Sequence, residues 1–201
     1  MQERSRHTRE QVLDAAATEF ARHGYTETTM NAVAIRIGMT KGALYGHFAS
    51  KECIAMALVE QCVSAWSACL HPSRRAPGTP AAETLQELTW ALALKMRRDA
   101  RTRAAIRLIA DCPTASGAVA PALAAIHRRL SDLVRQGQEE GAITAAHSPE
   151  SLTRLFLTYT WGVSRAPSAL GDVRSVVQEA DWETLLGLLR RPRPVAGGQP
   201  R

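Results

Sequence analysis

The apolar residues of this chain recur at helical spacing over almost its whole length, and this period constrains the fold more than any other feature. One predicted helix, which Ser50 can cap, would bury a single face that carries Ile54, Leu58, Cys62, Ala65 and Cys69. No stretch combines strict apolar–polar alternation with enrichment in β-branched residues, as a half-buried strand would. The sequence therefore predicts an all-α protein.

Composition excludes several other classes of protein. Hydrophobic residues make up 45% of the 201 residues, which is enough for a sizeable core and too much for a disordered chain. The apolar runs are too short and too interrupted to span a bilayer. The first ten residues, MQERSRHTRE, lack the apolar region of a secretory signal. We expect a cytoplasmic protein that does not associate with membranes.

Helix starts and stops divide the chain. A first helix is expected from Thr8 to Gly24, a loop over residues 71–80 (HPSRRAPGTP), and a helix start at Ser148-Pro149. Gly117 and Pro121 are expected to frame the start of the seventh helix. We interpret residues 1–52 as one domain, residues 53–191 as a second helical domain, and residues 192–201 as a disordered tail.

Residues 28–48, TTMNAVAIRIGMTKGALYGHF, predict two short helices joined by a tight turn at Gly38-Met39-Thr40. This is the helix-turn-helix arrangement, in which the second helix enters the major groove of DNA. A plain helical hairpin, with Tyr45 and Phe48 as core aromatics, would give the same pattern. Gly38 suits the positive φ of such a turn. The small residues after Lys41 would let the backbone approach DNA, and the candidate phosphate partners are Thr40, Tyr45, His47 and Lys51.

The sequence from the end of the turn, TKGALYGHFASKE, closely resembles the recognition-helix region of the tetracycline-repressor (TetR) family. The resemblance extends upstream through RHTREQVLDAAATEFARHGYTETTMNAVAIRIGM. It implies a homodimeric regulator whose three-helix N-terminal head binds a palindromic operator. The C-terminal helices would enclose a small-molecule pocket, and the last two would form the dimer interface.

Carried onto this sequence, the resemblance assigns individual roles in the head. It assigns the phosphate contacts to Thr29, Tyr45, His47 and Lys51. The residues that would face the major groove are Thr40, Lys41, Gly42 and Ala43. Lys41 is the best candidate for base readout, because lysine can donate to guanine O6 and N7. The head core would contain Phe20, Leu44 and Phe48.

Three segments, HGYTETTM, TKGALYGHFASKE and RAAIRLIADC, are also similar to actinobacterial γ-butyrolactone receptors and their pseudo-receptor relatives. In that subgroup, true receptors hold a lactone against a tryptophan of the seventh helix. This sequence has no aromatic residue between Trp90 and Phe156. The departure favours the pseudo-receptor type, which is expected to sense antibiotics or their intermediates.

The ligand pocket is less clearly marked than the DNA-binding head. Aromatic and apolar candidates that could contact a flat ligand are Trp66, Trp90, Met96, Leu108, Cys112, Phe156, Tyr159 and Trp161. Each of them alone is more often a plain core position. Six basic residues lie in the segment from Lys95 to Arg107, which we interpret as a solvated helix face. The alternatives are an electrostatic aid to DNA approach and a polar lip on the ligand pocket. Arg107 has apolar neighbours and can turn inward.

Enzyme chemistry finds no support in the sequence. There is no G-x-S-x-G, no glycine-rich phosphate loop and no H-E-x-x-H. The four cysteines lack zinc-ligand spacing and are interpreted as small buried residues in a reducing compartment. We therefore expect no catalytic residue, no metal and no cofactor.

The sequence thus predicts a ligand-responsive repressor of antibiotic or other secondary-metabolite genes. A small apolar molecule, such as an antibiotic, an intermediate or a butyrolactone-like signal, would release it from its operator. The alternative is a TetR-like DNA-binding protein with no small-molecule effector.

Overall fold

The computed structural model describes residues 2–71, 78–165 and 187, and these contain helices and turns with no strand. The all-α prediction is confirmed. The helices are α1 (Gln2–Glu27), α2 (Met30–Arg36), α3 (Lys41–Tyr45), α4 (Lys51–Cys69), α5 (Ala81–Arg98), α6 (Ala100–Asp111), α7 (Pro113–Glu139) and α8 (Pro149–Arg165). The helices expected after α8, the boundary at 191 and the tail lie outside the described residues.

Side-chain caps set several helix starts where the sequence predicts them. A hydroxyl oxygen accepts the backbone N–H three residues further on, at 3.1–3.2 Å, in Thr29, Thr40, Ser50 and Ser148. Helix α5 is different, because its N-cap is Pro80, which makes no side-chain cap bond. A carboxylate oxygen of Glu140, at the end of α7, instead accepts the Ala81 N–H at 2.9 Å. The cap of α5 is therefore a tertiary contact.

Two expected helix starts are wrong. Helix α1 begins at Gln2, and the Thr8 hydroxyl donates to the Arg4 carbonyl oxygen at 3.0 Å within the helix instead of capping it. Helix α7 begins at Pro113, so Pro121 lies inside it. Proline is well suited to the first turn of a helix, and Pro113 takes that position directly after α6.

The first three helices share a core, and α1 also packs along the second half of the chain. Phe20, Leu44 and Phe48 are all buried, as predicted for the head. Yet α1 makes its most extensive contacts with α6. The boundary expected at residue 52 falls just inside α4, which packs against α1, α6 and α7. The head and the body thus share two helices.

Two arginines of α6 bind α1. Arg101 donates from Nε to Asp14 at 2.6 Å and from Nη1 to Glu10 at 2.7 Å. Arg107 donates from Nη1 to the carbonyl oxygens of Ala21 and Arg22, both at 3.3 Å. These carbonyls lie just before Gly24, where α1 is broken by a non-helical residue. Arg107 is thus partly buried against α1. Its positive charge lies beside the last carbonyl groups of these α1 turns, where a cation is favourable.

The cysteines are free in the described structure, and their burial differs from the prediction. Cys112 is buried and Cys62 is partly buried, but Cys53 and Cys69 are exposed. Burial raises the pKa of Cys62 to about 11, so its thiol stays protonated at neutral pH. The interpretation of all four as buried residues is therefore wrong for Cys53 and Cys69.

Within the described residues, no single helix is long and apolar enough to cross a membrane. Helices α6 and α7 reach the required length and hydropathy only when taken together, and they are bent by 104° at their junction.

The break in α1 at Gly24 generates a stability prediction. Gly24 has φ 80°, and a Cβ there would lie 2.7 Å from Nη2 of Arg107. We expect Gly24→Ala to lower the free energy of unfolding by about 2–3 kcal/mol, since backbone strain and a steric clash act together. Urea unfolding followed by circular dichroism, at one fixed protein concentration, measures the loss.

Gly38→Ala is the matched control, because Gly38 has φ 65° but open space around it. It should cost about 1–2 kcal/mol, which is the backbone contribution alone. A loss in Gly24→Ala no larger than that in Gly38→Ala would contradict the greater strain expected at Gly24.

Candidate DNA-binding surface and ligand cavity

The turn between α2 and α3 has the geometry of a helix-turn-helix. Gly38 takes φ 65°, in the left-handed region that favours glycine. The N–H of Gly38 donates to the Ile35 carbonyl oxygen at 3.1 Å, and that of Met39 to the Ala34 carbonyl oxygen at 3.0 Å. These bonds close the end of α2 and allow Thr40 to start α3 two residues after the glycine.

Residues predicted to contact DNA are all exposed or partly buried. Exposed members of the set are Thr29, Thr40, Lys41, Gly42, Ala43 and Tyr45, and the partly buried members are His47 and Lys51. Leu44 is fully buried and anchors α3 in the head. The hairpin alternative placed Tyr45 and Phe48 in the core, but Tyr45 is 45% exposed while Phe48 is buried. An exposed tyrosine on this helix favours a binding surface over a bundle hairpin.

Both threonine caps remain able to bind a phosphate. The Oγ1 atoms of Thr29 and Thr40 accept backbone N–H groups as caps. A hydroxyl also carries one hydrogen of its own, which it can donate to a second partner. Each cap can therefore order its helix and donate to a phosphate oxygen at the same time.

Lys51 makes contacts inside the protein that its sequence role does not predict. Its Nζ donates to the carbonyl oxygen of Tyr25 at 2.7 Å and to that of Thr26 at 3.4 Å. It also lies 4.3 Å from the centroid of the Tyr25 ring. Burial, together with Cys112 and Glu52, raises the pKa of Tyr25 to about 12, so the phenol is neutral. Lys51 thus connects α4 to the end of α1.

Arg9 is a residue of this region that sequence reasoning missed. Its Nη1 donates to the His47 carbonyl oxygen at 3.1 Å, and its guanidinium lies 4.0 Å from the centroid of the Phe48 ring. These contacts connect α1 to the chain just after α3. They join positions 38 residues apart, so no local pattern could have indicated them.

Three of the six acidic residues of the head are paired with arginines that lie outside α3. Residues 1–52 contain seven Lys or Arg and six Asp or Glu, which is nearly neutral. Glu10 and Asp14 bind Arg101, and Glu19, which is buried, binds Arg36 at 2.5 Å. Lys41 lies at the start of α3 with its Nζ 5.9 Å from the Tyr45 ring centroid. The cations around α3 therefore keep a local positive charge in a neutral domain.

A cavity of about 290 Å³ lies among helices α4 to α8. Its walls are almost entirely apolar and comprise Cys62, Val63, Trp66, Leu85, Leu88, Ile106, Ile109, Leu123, Ala124, Ile126, His127, Leu130, Phe156 and Leu157. His127 is the one described residue in this lining that has an ionisable ring. Such a volume is near the lower end of the range for small-molecule sites.

The structure brings together only part of the predicted ligand set. Trp66 and Phe156 line the cavity. Leu108 and Cys112 are buried outside its lining, and Tyr159 is partly buried on α8, also outside it. Trp90, Met96 and Trp161 lie outside the residues whose side chains the structure describes.

Most of the lining residues that sequence reasoning missed are aliphatic residues at helical spacing. Leu85, Leu88, Leu123, Ile126 and Leu130 form the apolar stripes of α5 and α7. The helical period shows that these residues face inward, but it does not show whether facing side chains meet.

The fold and the site together define a helix-turn-helix DNA-binding regulator with a helical body. Residues 12–58 match the model of the tetR family of bacterial regulatory proteins. The A-factor receptor protein of Streptomyces griseus is 30% identical over 207 residues, which cover 99% of this chain and 70% of that protein. The chain belongs to the TetR family of DNA-binding regulators, which are not enzymes.

Two solved structures have the same fold. One, described as the molecular basis for control of antibiotic production by bacterial hormones, is 27% identical with a TM-score of 0.66, covering 92% of this chain and 98% of that one. The other is CprB of Streptomyces coelicolor in complex with its operator sequence. It is 24% identical with a TM-score of 0.72, covering 94% of this chain and 91% of that one.

Replacing Lys41 tests base readout. We expect Lys41→Ala to relax the preference at one operator position by about 1–3 kcal/mol, because a lysine donor to a guanine edge is lost. The affinities for all single-base variants of an operator selected from random DNA give the base preference at each position. A uniform loss over all variants would make Lys41 a backbone contact.

Replacing Lys51 tests a phosphate contact. We expect Lys51→Ala to weaken binding to every sequence and to lower the slope of log affinity against log salt by about one unit. The free energy of unfolding should fall by about 1 kcal/mol, since the Tyr25 and Thr26 carbonyls lose a donor. Lys51→Arg is the control that keeps the charge. An unchanged salt slope in Lys51→Ala would remove Lys51 from the phosphate contacts.

Proposed function

We propose that this protein is a ligand-responsive repressor that a small, mainly apolar molecule releases from its operator. The observation that carries the proposal is the cavity of about 290 Å³ with apolar walls in the helical body. Small-molecule sites are typically concave and mostly apolar with a few polar groups, and this lining fits that description.

On the DNA side, the protein acts as a homodimer on a palindromic operator. Each head places α3 in a major groove, and Thr29, Tyr45, His47 and Lys51 contact phosphates around it. Two such heads read half-sites about 34 Å apart or at a multiple of that spacing. The exposure of Lys41, Gly42 and Ala43 at the start of α3 supports this assignment.

The genes under control are those for an antibiotic or another secondary metabolite. The full-length similarity to an A-factor receptor supports this proposal. The effector is an antibiotic, an intermediate or a butyrolactone-like signal. The part of the cavity wall that α7 contributes is aliphatic apart from His127, since residues 91–155 contain no aromatic residue. The effector therefore does not stack on a tryptophan of α7.

The alternative function is DNA binding without any effector. It predicts a body without an apolar pocket of ligand size. The cavity among α4 to α8 therefore favours the ligand-responsive function.

A cavity-filling substitution tests the proposed function. After a screen for small molecules that release the protein from its selected operator, we expect Leu123→Trp to abolish the response. The indole would occupy the cavity, while the distant head would bind the operator with its affinity changed by less than about threefold. Fluorescence anisotropy of labelled operator measures both quantities.

Leu94→Trp is the matched control, because Leu94 is 46% exposed on α5 and does not line the cavity. It should respond as the unsubstituted protein does. A full response from Leu123→Trp would exclude the cavity as the effector site and sustain the alternative function.

A further inference from the structure

His127 interrupts the apolar face that α7 presents to the cavity among α4 to α8. Leu123 lies four residues before it and Leu130 three residues after it, so the three side chains share one face of the helix. All three line the cavity of about 290 Å³. An aliphatic residue at position 127 would complete the apolar stripe, whereas the histidine places a polar ring in it.

The imidazole has no partner within the described part of the protein. No hydrogen bond or ion pair joins it to another described residue. Ser131 follows one turn later on α7, but its hydroxyl is buried and donates to the Thr153 hydroxyl oxygen at 3.1 Å. In the cavity wall, the Cys62 thiol and the Trp66 indole interact with each other. Among the described lining residues, His127 is therefore the one whose polar atoms remain available to a ligand.

The chemistry of the lining limits what His127 can bind. No carboxylate, lysine or arginine belongs to the lining that the structure describes. An ionised group of an effector would thus enter the cavity without a permanent counter-charge, at a large cost in desolvation. An imidazole always carries at least one N–H donor, and its neutral form also has an acceptor nitrogen. A hydroxyl can pair with either nitrogen, and a carbonyl oxygen can pair with the N–H.

We propose that His127 binds a neutral oxygen group, a hydroxyl or a carbonyl, of an otherwise apolar effector that fills this cavity. This inference rests on the proposed function and specifies the chemical class of its effector. The apolar walls supply most of the affinity, and the hydrogen bond to His127 fixes the orientation of the molecule.

This hydrogen bond would also give the site its selectivity. Against aliphatic walls alone, an effector oxygen would lose its hydrogen bonds to water without replacement, so the oxygenated molecule would be disfavoured. His127 replaces the lost bond. An oxygenated molecule and the corresponding hydrocarbon meet the same walls. The preference between them therefore depends on His127 and not on the apolar residues.

2-Naphthol and naphthalene are matched probes, because they share a flat bicyclic frame and differ by one hydroxyl. Equilibrium dialysis against the full-length protein measures both affinities, and their ratio gives the preference for 2-naphthol. We expect His127→Leu to lower this ratio by about fivefold or more, since the hydroxyl is then buried without a partner. The affinity for naphthalene should not fall by more than about twofold, because leucine keeps the cavity apolar.

His147→Leu is the matched control, because His147 is exposed and does not line the cavity. It should leave the ratio unchanged. In the operator-release measurement, His127→Leu should raise the concentration of a screened effector needed for half-release by about fivefold or more. Its affinity for the operator should change by less than about threefold, since the head is distant from the cavity.

A ratio that His127→Leu leaves unchanged, or that His147→Leu lowers as much, would overturn this inference. So would a response to screened effectors that His127→Leu retains in full. The proposed function is judged separately by the response of Leu123→Trp. Naphthalene binding that is lost in Leu123→Trp, together with an unchanged ratio in His127→Leu, would sustain the apolar site and reject the role of His127.

Discussion

Helix α1 belongs to the head and to the body at the same time, and the contact between α1 and α6 is what the rest of the structure depends on. Arg101 binds two carboxylates of α1, and Arg107 binds the carbonyls at the end of its helical turns. Gly24 permits the second contact, because its missing Cβ leaves room for the guanidinium.

The same pairing explains how a nearly neutral head can recognise DNA. The chain has a net charge of +6, yet residues 1–52 contribute little of it. Glu10, Asp14 and Glu19 are bound by arginines, and Lys41 is exposed at the start of α3. Placement of charge, and not its total, therefore determines the binding surface.

Much of the fold and of the DNA-binding surface was predictable, because both rest on local signals. The caps at Thr29, Thr40 and Ser50 and the positive φ of Gly38 depend on residues within three or four positions. The cavity was only half predictable. Leu123 and Leu130 recur at helical spacing on α7, and they both pack on the core and line the cavity. The helical period gives a direction and contains no information about the volume that facing helices leave.

The sequence by itself determined the helix period, the helix-turn-helix and the family resemblance, since each is encoded in neighbouring residues. Only the tertiary structure decided that Arg9 reaches His47, that Glu140 caps α5 and that Arg101 joins α6 to α1. These contacts connect residues 38, 59 and 91 positions apart. Long polar side chains can reach many partners from one backbone position, and the packing of the helices selects which partner they meet.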